Sequence, residues 1–233
     1  MHPISDQHFI GGELWRSASS ARIEVLNPSS GLVLGEIPDG DTTDLDHAVT
    51  TAVAAGPSWA DRSPRERSVV LVKLANLLRD HAEDLAQLDS MDSGRTLAET
   101  RAQVSRSAEQ LEYCAAVADK LEGRVVPLNS GFSASTMLEP YGVIGALTPW
   151  NAPLLQITQK TSHAIAAGNT VVVKPSPLAC FSTLHYGMLA QEAGLPVGVL
   201  SIVMGGAKTG EALVQDERIA KVTFTGSVKT GRQ

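Results

Sequence analysis

After Tyr141 the sequence repeats one rhythm, and that rhythm restricts the fold more than any other feature: short apolar runs without polar alternation, separated by segments of helical period. The successive segments are 142–147, 153–167, 170–174, 179–193, 198–203, 208–215 and 221–225. A run such as Tyr141-Gly142-Val143-Ile144-Gly145-Ala146-Leu147 suits a strand buried on both faces of a parallel sheet, because neither face has to meet water. Strands alternating with helices through short loops imply right-handed βα units, hence an α/β fold with a doubly wound parallel sheet. Ligands of such sheets bind outside the carboxyl ends of the strands.

The strand tips therefore hold the candidate chemistry. The first delivers Thr148-Pro149-Trp150-Asn151-Ala152-Pro153, a carboxamide between two prolines where strand gives way to helix. Pro153 suits a first helical turn, where its missing N–H would have no partner anyway. Asn151 then serves either as an N-cap or as a donor aimed at a substrate oxygen. The second tip is Lys174-Pro175-Ser176-Pro177, the third Met204-Gly205-Gly206-Ala207-Lys208-Thr209-Gly210, the fourth Thr225-Gly226-Ser227. Lys174 suits ribose hydroxyls or phosphate, or is a solvated loop charge. Gly226-Ser227 could bring backbone N–H groups to a pyrophosphate, or form a plain glycine turn with a serine cap. The Gly205–Gly210 loop matches neither GxGxxG nor a Walker A sequence and speaks for strand–turn–helix more than for chemistry.

Upstream the pattern differs. To about Pro38 it is short and β-rich, with turns at Gly11-Gly12 and at Asn27-Pro28-Ser29-Ser30-Gly31. A helix begins at Thr43 and is expected to end at Gly56-Pro57; Pro64 opens another carrying Val69, Val70, Leu71, Leu74, Leu77 and Leu78. Leu85, Ala86 and Leu88 mark a third, broken by Asp92-Ser93-Gly94, and a long one runs from Leu97 to Lys120 with Val104, Leu111, Cys114, Ala115 and Ala118 as its buried stripe. Residues 123–140 read as a two-stranded arm turning at Asn129-Ser130-Gly131. An isolated hairpin is marginal in water, so the arm is expected to pack on another subunit.

Composition narrows the partners. A net charge of −6 without a basic cluster, and 4% aromatic residues, argue against a nucleic-acid surface. The stretch Met1-His2-Pro3-Ile4-Ser5-Asp6-Gln7-His8 has no leader pattern and no later apolar run spans a bilayer, so a cytoplasmic location without membrane attachment is the default. Cys114 and Cys180 are too few for a disulfide framework and no metal-ligand spacing exists; reduced thiols and no metal are expected.

Taken together, Phe9-Ile10-Gly11-Gly12-x-x-Trp15, Asn27-Pro28-x-x-Gly31, Trp59 with Pro64-x-x-Arg67, Asp92-x-Gly94, Pro149-Trp150-Asn151-x-Pro153, Gly168-Asn169-x-Val171-Val172-Val173-Lys174-Pro175 and Phe224-Thr225-Gly226-Ser227 resemble the N-terminal part of the aldehyde dehydrogenase superfamily. The resemblance covers nearly the whole chain. It implies a Rossmann-like NAD(P)-binding domain over 1–122 and 141–233, incomplete at its C-terminal end, with 123–140 as an oligomerisation arm of a homo-oligomer. It implies that Asn151 donates to the oxyanion of a thiohemiacetal and that Lys174 holds the adenine ribose of NAD or NADP. Thr148, Pro149, Trp150, Ser176, Pro177, Gly206, Gly210, Phe224, Thr225, Gly226 and Ser227 are the remaining cofactor candidates.

Three departures qualify this. The family's cysteine nucleophile and glutamate base belong to segments after the Phe-Thr-Gly-Ser turn, and the chain stops at Gln233; Cys180 lies outside the nucleophile motif, so the chain alone is expected to be inactive toward aldehydes. Pro177 stands where many relatives carry a glutamate that accepts from the ribose 2′-hydroxyl, which implies dual or NADP-leaning cofactor use. Ala152 and Gln159 replace bulky aromatics, which implies a wider, wetter tunnel. Two readings compete with a half-enzyme: a non-catalytic nucleotide-binding or assembly module, and an unproductive truncation.

Overall fold

The computed structural model describes residues 6–232; Met1–Ser5, part of the stretch read for a leader, and Gln233 lie outside the described residues. The chain begins with β1 (His8–Ile10) and β2 (Glu13–Trp15), a hairpin, then β3 (Arg22–Leu26) and β4 (Val33–Pro38), a second one. Gly11 and Gly12 both have positive φ, 66° and 81°, as a two-residue hairpin turn of this twist demands. Four helices follow: α1 (Thr42–Ala60), α2 (Pro64–Asp80), α3 (Ala82–Ser93) and α4 (Leu97–Val117), the last extended by a 3₁₀ turn over Ala118–Lys120. The arm contains β5 (Val125–Val126) and β6 (Ala134–Ser135), paired antiparallel. Then come β7 (Val143–Thr148), α5 (Pro153–Ala166), β8 (Thr170–Pro175), α6 (Phe181–Glu192), β9 (Leu200–Ile202), α7 (Ala207–Gln215), β10 (Ile219–Phe224) and the short α8 (Val228–Gly231).

One six-stranded sheet runs in the order β10-β7-β8-β9-β1-β2. Its first four strands are parallel, as the unalternated runs imply. The β1–β2 hairpin adds antiparallel to β9 through Phe9 opposite Ile202, so the N-terminal β segment completes the main sheet instead of standing apart. Nothing local in the sequence specifies that pairing.

Side-chain alternation divides the core into two layers. Val143, Val172 and Val203 meet Leu45, Val49, Ala52 and Leu213 of α1 and α7 on one face. Ile144, Ala146, Val171, Val173 and Ile202 meet Leu154, Ile157, Ile165, Phe181 and Leu184 of α5 and α6 on the other. Helices α2, α3 and α4 pack as an outer layer over α5 and α6. The buried stripe expected on α4 is buried, whereas Val69 of α2 is exposed. No helix among the described residues is long and apolar enough to cross a membrane.

Helix α1 departs from expectation by continuing through Pro57 to Ala60. An interior proline removes a hydrogen bond and costs about 3 kcal/mol. Two residues on, Trp59 is wholly buried and its Nε1 donates to the Ile165 carbonyl, 3.1 Å away. Burying a tryptophan stabilises by about 5 kcal/mol on area grounds, so the tertiary contact wins. Arg67 of α2, also buried, donates Nε to the Ala166 carbonyl (2.9 Å) and Nη1 to that of Ala60 (3.3 Å). Trp59 and Arg67 thus add side-chain donors to the terminal carbonyls of α5, beside the Gly168 N–H that reaches Ile165 at 3.1 Å.

Candidate functional site

The strand order reverses beside β7: β8 and β9 follow on one side, and the chain returns to place β10 on the other. That reversal opens a crevice at the carboxyl ends of β7 and β10. Register brings the tips level, with Leu147 opposite both Lys174 and Phe224, and Thr148 opposite Pro175. The Thr225 N–H continues the ladder to the Leu147 carbonyl at 3.2 Å. The Thr148-Pro149-Trp150-Asn151 and Phe224-Thr225-Gly226-Ser227 segments are therefore the two lips of one crevice, with Lys174 on the next tip.

At the first lip the N-cap of α5 is Ala152, and it has no side-chain cap. The reading of Asn151 as an N-cap falls. Its carboxamide makes no hydrogen bond among the described residues, while its backbone carbonyl accepts from Arg95 Nε. Arg95 follows the Gly94 C-cap of α3 and also reaches Glu99 Oε1 at 3.2 Å, so the outer helical layer fixes this tip. Thr148 is buried and its hydroxyl has no partner; Trp150 is about half exposed. Replacing Arg95 with alanine is expected to destabilise the chain by about 1.5–3 kcal/mol, the range for hydrogen bonds to charged groups. Urea unfolding checks the size, and faster amide exchange in 150–155 checks the place; exchange unchanged there would contradict Arg95 as the anchor.

Lys174 is not a solvated loop charge. It lies inside β8 with 8% of its surface exposed, and its ammonium makes no hydrogen bond among the described residues. Burial pushes it down to about 8. Ser176 Oγ accepts from the Leu178 N–H at 3.3 Å, an ordinary serine turn, and Pro177 lines a separate hollow of about 400 Å³ with Trp150, Leu26 and Asp92. Gly206 is the N-cap of α7, and its N–H donates to Asp39 Oδ1 at 2.8 Å. Gly210 lies under Leu147 and the Lys174 stem: a Cβ there would sit 3.1 Å from Leu147 Cδ2.

On the second lip, Ser227 caps α8 by accepting from Thr230 N–H at 3.1 Å, so the simple cap reading holds locally. Gly226 has a stricter requirement. A Cβ would approach Phe224 Cζ to 2.5 Å, and any larger residue would displace the ring that walls the crevice.

Sequence reasoning missed Lys160. From α5 its Nζ spans to β10, donating to Thr225 Oγ1 (2.8 Å) and Thr223 Oγ1 (3.3 Å), and burial lowers its pKa. It lines a cavity of about 600 Å³ with Gln156, Gln159 and His163. Those long polar side chains recur at helical spacing on α5, a signal that was legible. Ala152 is buried and does not line this cavity.

Neither cysteine joins the crevice lips. Cys180 is the wholly buried N-cap of α6, its thiol pushed well up by burial. Cys114 is buried on α4, its Sγ 3.2 Å from Gln110 Nε2 and 3.3 Å from Ser162 Oγ.

Residues 15–233 match the profile of the aldehyde dehydrogenase family. The chain belongs to that family. Among its relatives, phenylacetaldehyde dehydrogenase of Pseudomonas fluorescens is 39% identical over 98% of this chain and 48% of its own length. The NADP/NAD-dependent aldehyde dehydrogenase PuuC of Escherichia coli is 38% identical over 99% of this chain and 47% of its own. The crystal structure of PnpE in complex with nicotinamide adenine dinucleotide superposes with a TM-score of 0.96 at 37% identity, over 98% of this chain and 47% of that one. The chain thus spans about half the length of these aldehyde dehydrogenases.

Proposed function

We propose that this chain is the cofactor-binding half of an NAD(P)-dependent aldehyde dehydrogenase, which oxidises an aldehyde to a carboxylic acid through a thiohemiacetal. The observation that carries this reading is the Asn151 carboxamide, free of internal partners at the strand-order reversal and held by its backbone. A preorganised neutral donor of this kind stabilises an oxyanion without having to reorganise during the reaction, and one such donor is worth on the order of 3 kcal/mol.

The residues present fit a nicotinamide dinucleotide. Thr148 Oγ1 is buried without a protein partner, a state that is costly unless a ligand or water satisfies it, and Lys174, 8% exposed, makes no hydrogen bond among the described residues. Lys174 would hold the adenine ribose, and Thr148, Pro149, Trp150, Phe224, Thr225, Gly226 and Ser227 would line the groove. When bound, the nicotinamide supplies the hydride chemistry; the protein supplies position and electrostatics. The nucleophile and general base would come from outside these residues, since both cysteines are buried in the helical layers. The 123–140 arm, with Val125, Phe132 and Met137 each more than three-quarters exposed, would associate with a second copy. A large exposed apolar surface of that kind favours a partner over water.

The purified 233-residue protein should bind NAD or NADP, read as quenching of tryptophan fluorescence, and should form no NAD(P)H from any aldehyde. Replacing Lys174 with alanine should weaken binding by about tenfold or more, the scale of a lost hydrogen bond to a charged group. Aldehyde-dependent turnover by this chain would contradict the assignment of the nucleophile elsewhere. Absence of cofactor binding would overturn the reading itself.

A further inference from the structure

The loop between β4 and α1 is fastened to the loop that precedes α7. Gly40 N–H donates to the Met204 carbonyl (3.1 Å), Thr209 Oγ1 to the Gly40 carbonyl (2.6 Å), and Gly206 N–H to Asp39 Oδ1 (2.8 Å). This fastening holds the half-buried Asp39 carboxylate at the start of α7, where its charge acts on the Lys174 ammonium. Its other oxygen, Oδ2, accepts no hydrogen bond among the described residues, and the Lys174 ammonium donates none. A buried donor and a free acceptor of opposite charge therefore flank the same pair of strand tips.

A ribose diol needs that combination, since each hydroxyl both donates and accepts. Pro177, standing where the resemblance implies a carboxylate, lines the hollow beside Trp150, and its side chain carries no acceptor for a hydroxyl. We infer that Asp39 supplies the missing acceptor from a different loop, and that it makes the site select an adenosine ribose with a free 2′-hydroxyl over a 2′-phosphorylated one. The inference rests on the cofactor reading given above and reverses the NADP-leaning expectation drawn from Pro177 alone. A 2′-hydroxyl gains an acceptor in Asp39 Oδ2. A 2′-phosphate brings negative charge against a carboxylate that is held in place, because Oδ1 accepts from the Gly206 N–H at the N-cap of α7.

Isothermal titration of the 233-residue protein with NAD, NADP, 5′-AMP and adenosine 2′,5′-bisphosphate tests this. The 2′-hydroxyl member of each pair should bind at least about tenfold more tightly, as expected for like charges a few ångströms apart near a protein surface. Asp39→Asn keeps an oxygen for the Gly206 N–H but removes the charge, and should shrink that ratio by about tenfold. Raising the salt concentration should narrow the preference in the unaltered protein, since repulsion at a half-exposed site is screened; this measurement needs no variant to fold. Equal or tighter binding of the 2′-phosphorylated ligands, or a ratio indifferent to Asp39→Asn and to salt, overturns the role of Asp39 while leaving the cofactor reading intact. Failure of all four ligands to bind overturns both.

Discussion

Truncating Trp59 to alanine is expected to cost about 3–5 kcal/mol, the range for removing a large aromatic from a core that cannot collapse to fill the space. The side chain is wholly buried, its Nε1 donates to the Ile165 carbonyl at 3.1 Å, and Arg62 lies over the ring at 5.4 Å. The loss is not confined to a cavity. Without the indole, the last turn of α1 keeps the Arg67 contact at the Ala60 carbonyl but loses the burial that offsets the hydrogen bond Pro57 removes. At the same time the Ile165 carbonyl, at the carboxyl end of α5, loses its indole donor and keeps the Gly168 N–H at 3.1 Å. Urea unfolding measures the change directly, and for a chain of this length each kcal/mol lowers Tm by about 2–4 °C. Trp59→Phe keeps most of the volume and should lose about 0.5–1.5 kcal/mol, the scale of one hydrogen bond whose acceptor keeps another donor. An alanine variant within about 1 kcal/mol of the parent would contradict the argument that this contact holds α1 through its proline.

The consequence reaches the site because α5 is held at both ends from the outer helices. Trp59 and Arg67 take its terminal carbonyls, and Arg95 takes the Asn151 carbonyl just before its first turn. The carboxamide stays where it is because α1, the start of α2 and the loop after α3 are folded around that helix.

What could be read from the sequence follows from this division between local and tertiary causes. The βα rhythm, Pro64 at the start of α2 and Gly94 as the left-handed cap of α3 are set by neighbours in the chain, and each was legible. So was the placement of Asn151, Lys174 and Gly226 at strand tips, because each sits in a contiguous motif. The continuation of α1 past Pro57 was not, since a contact 106 residues away decides it. The antiparallel addition of β1 to β9 was equally hidden, because one short pairing across the chain defines it. Lys174 read as a loop charge as easily as a ligand; only the strand around it shows it buried. Asp39 lay outside every motif, 167 residues from the glycine it caps.

A second large effect is expected from the buried acidic face of α3. Asp89 and Asp92, three residues apart, are almost wholly excluded from solvent. Asp92 Oδ2 accepts from the N–H groups of Cys180 (2.8 Å) and Phe181 (2.9 Å), capping α6 from another helix. Asp89 faces Ser182 and the N–H of Leu154, at the first turn of α5. Burial pushes the Asp89 carboxyl up to about 7; burial, and then the neighbouring Asp89, push Asp92 well above the usual carboxylate range. A folded-state pKa raised above the unfolded value means that the native chain holds an extra proton between the two values. The stabilisation is fully present below the unfolded pKa and is lost as pH rises through the folded one. Each tenfold difference in proton affinity between the two states is worth about 1.4 kcal/mol, so the native state should lose a few kcal/mol between about pH 4 and pH 8. His163, raised to about 9 chiefly by its hydrogen bond with Cys114, also weakens the fold as pH rises, so the informative quantity is the difference between the parent and Asp89→Asn. Urea unfolding at about pH 5 and pH 8 should show a steep fall for the parent, a shallower one for the variant, and the variant gaining on the parent at the higher pH. Equal slopes for the two proteins would mean that Asp89 is ionised in the fold throughout. Because Asp89 lies under the turn that follows Asn151, ionising it introduces an uncompensated charge directly beneath the helix that presents the carboxamide, and the order of that tip should fall along with the stability.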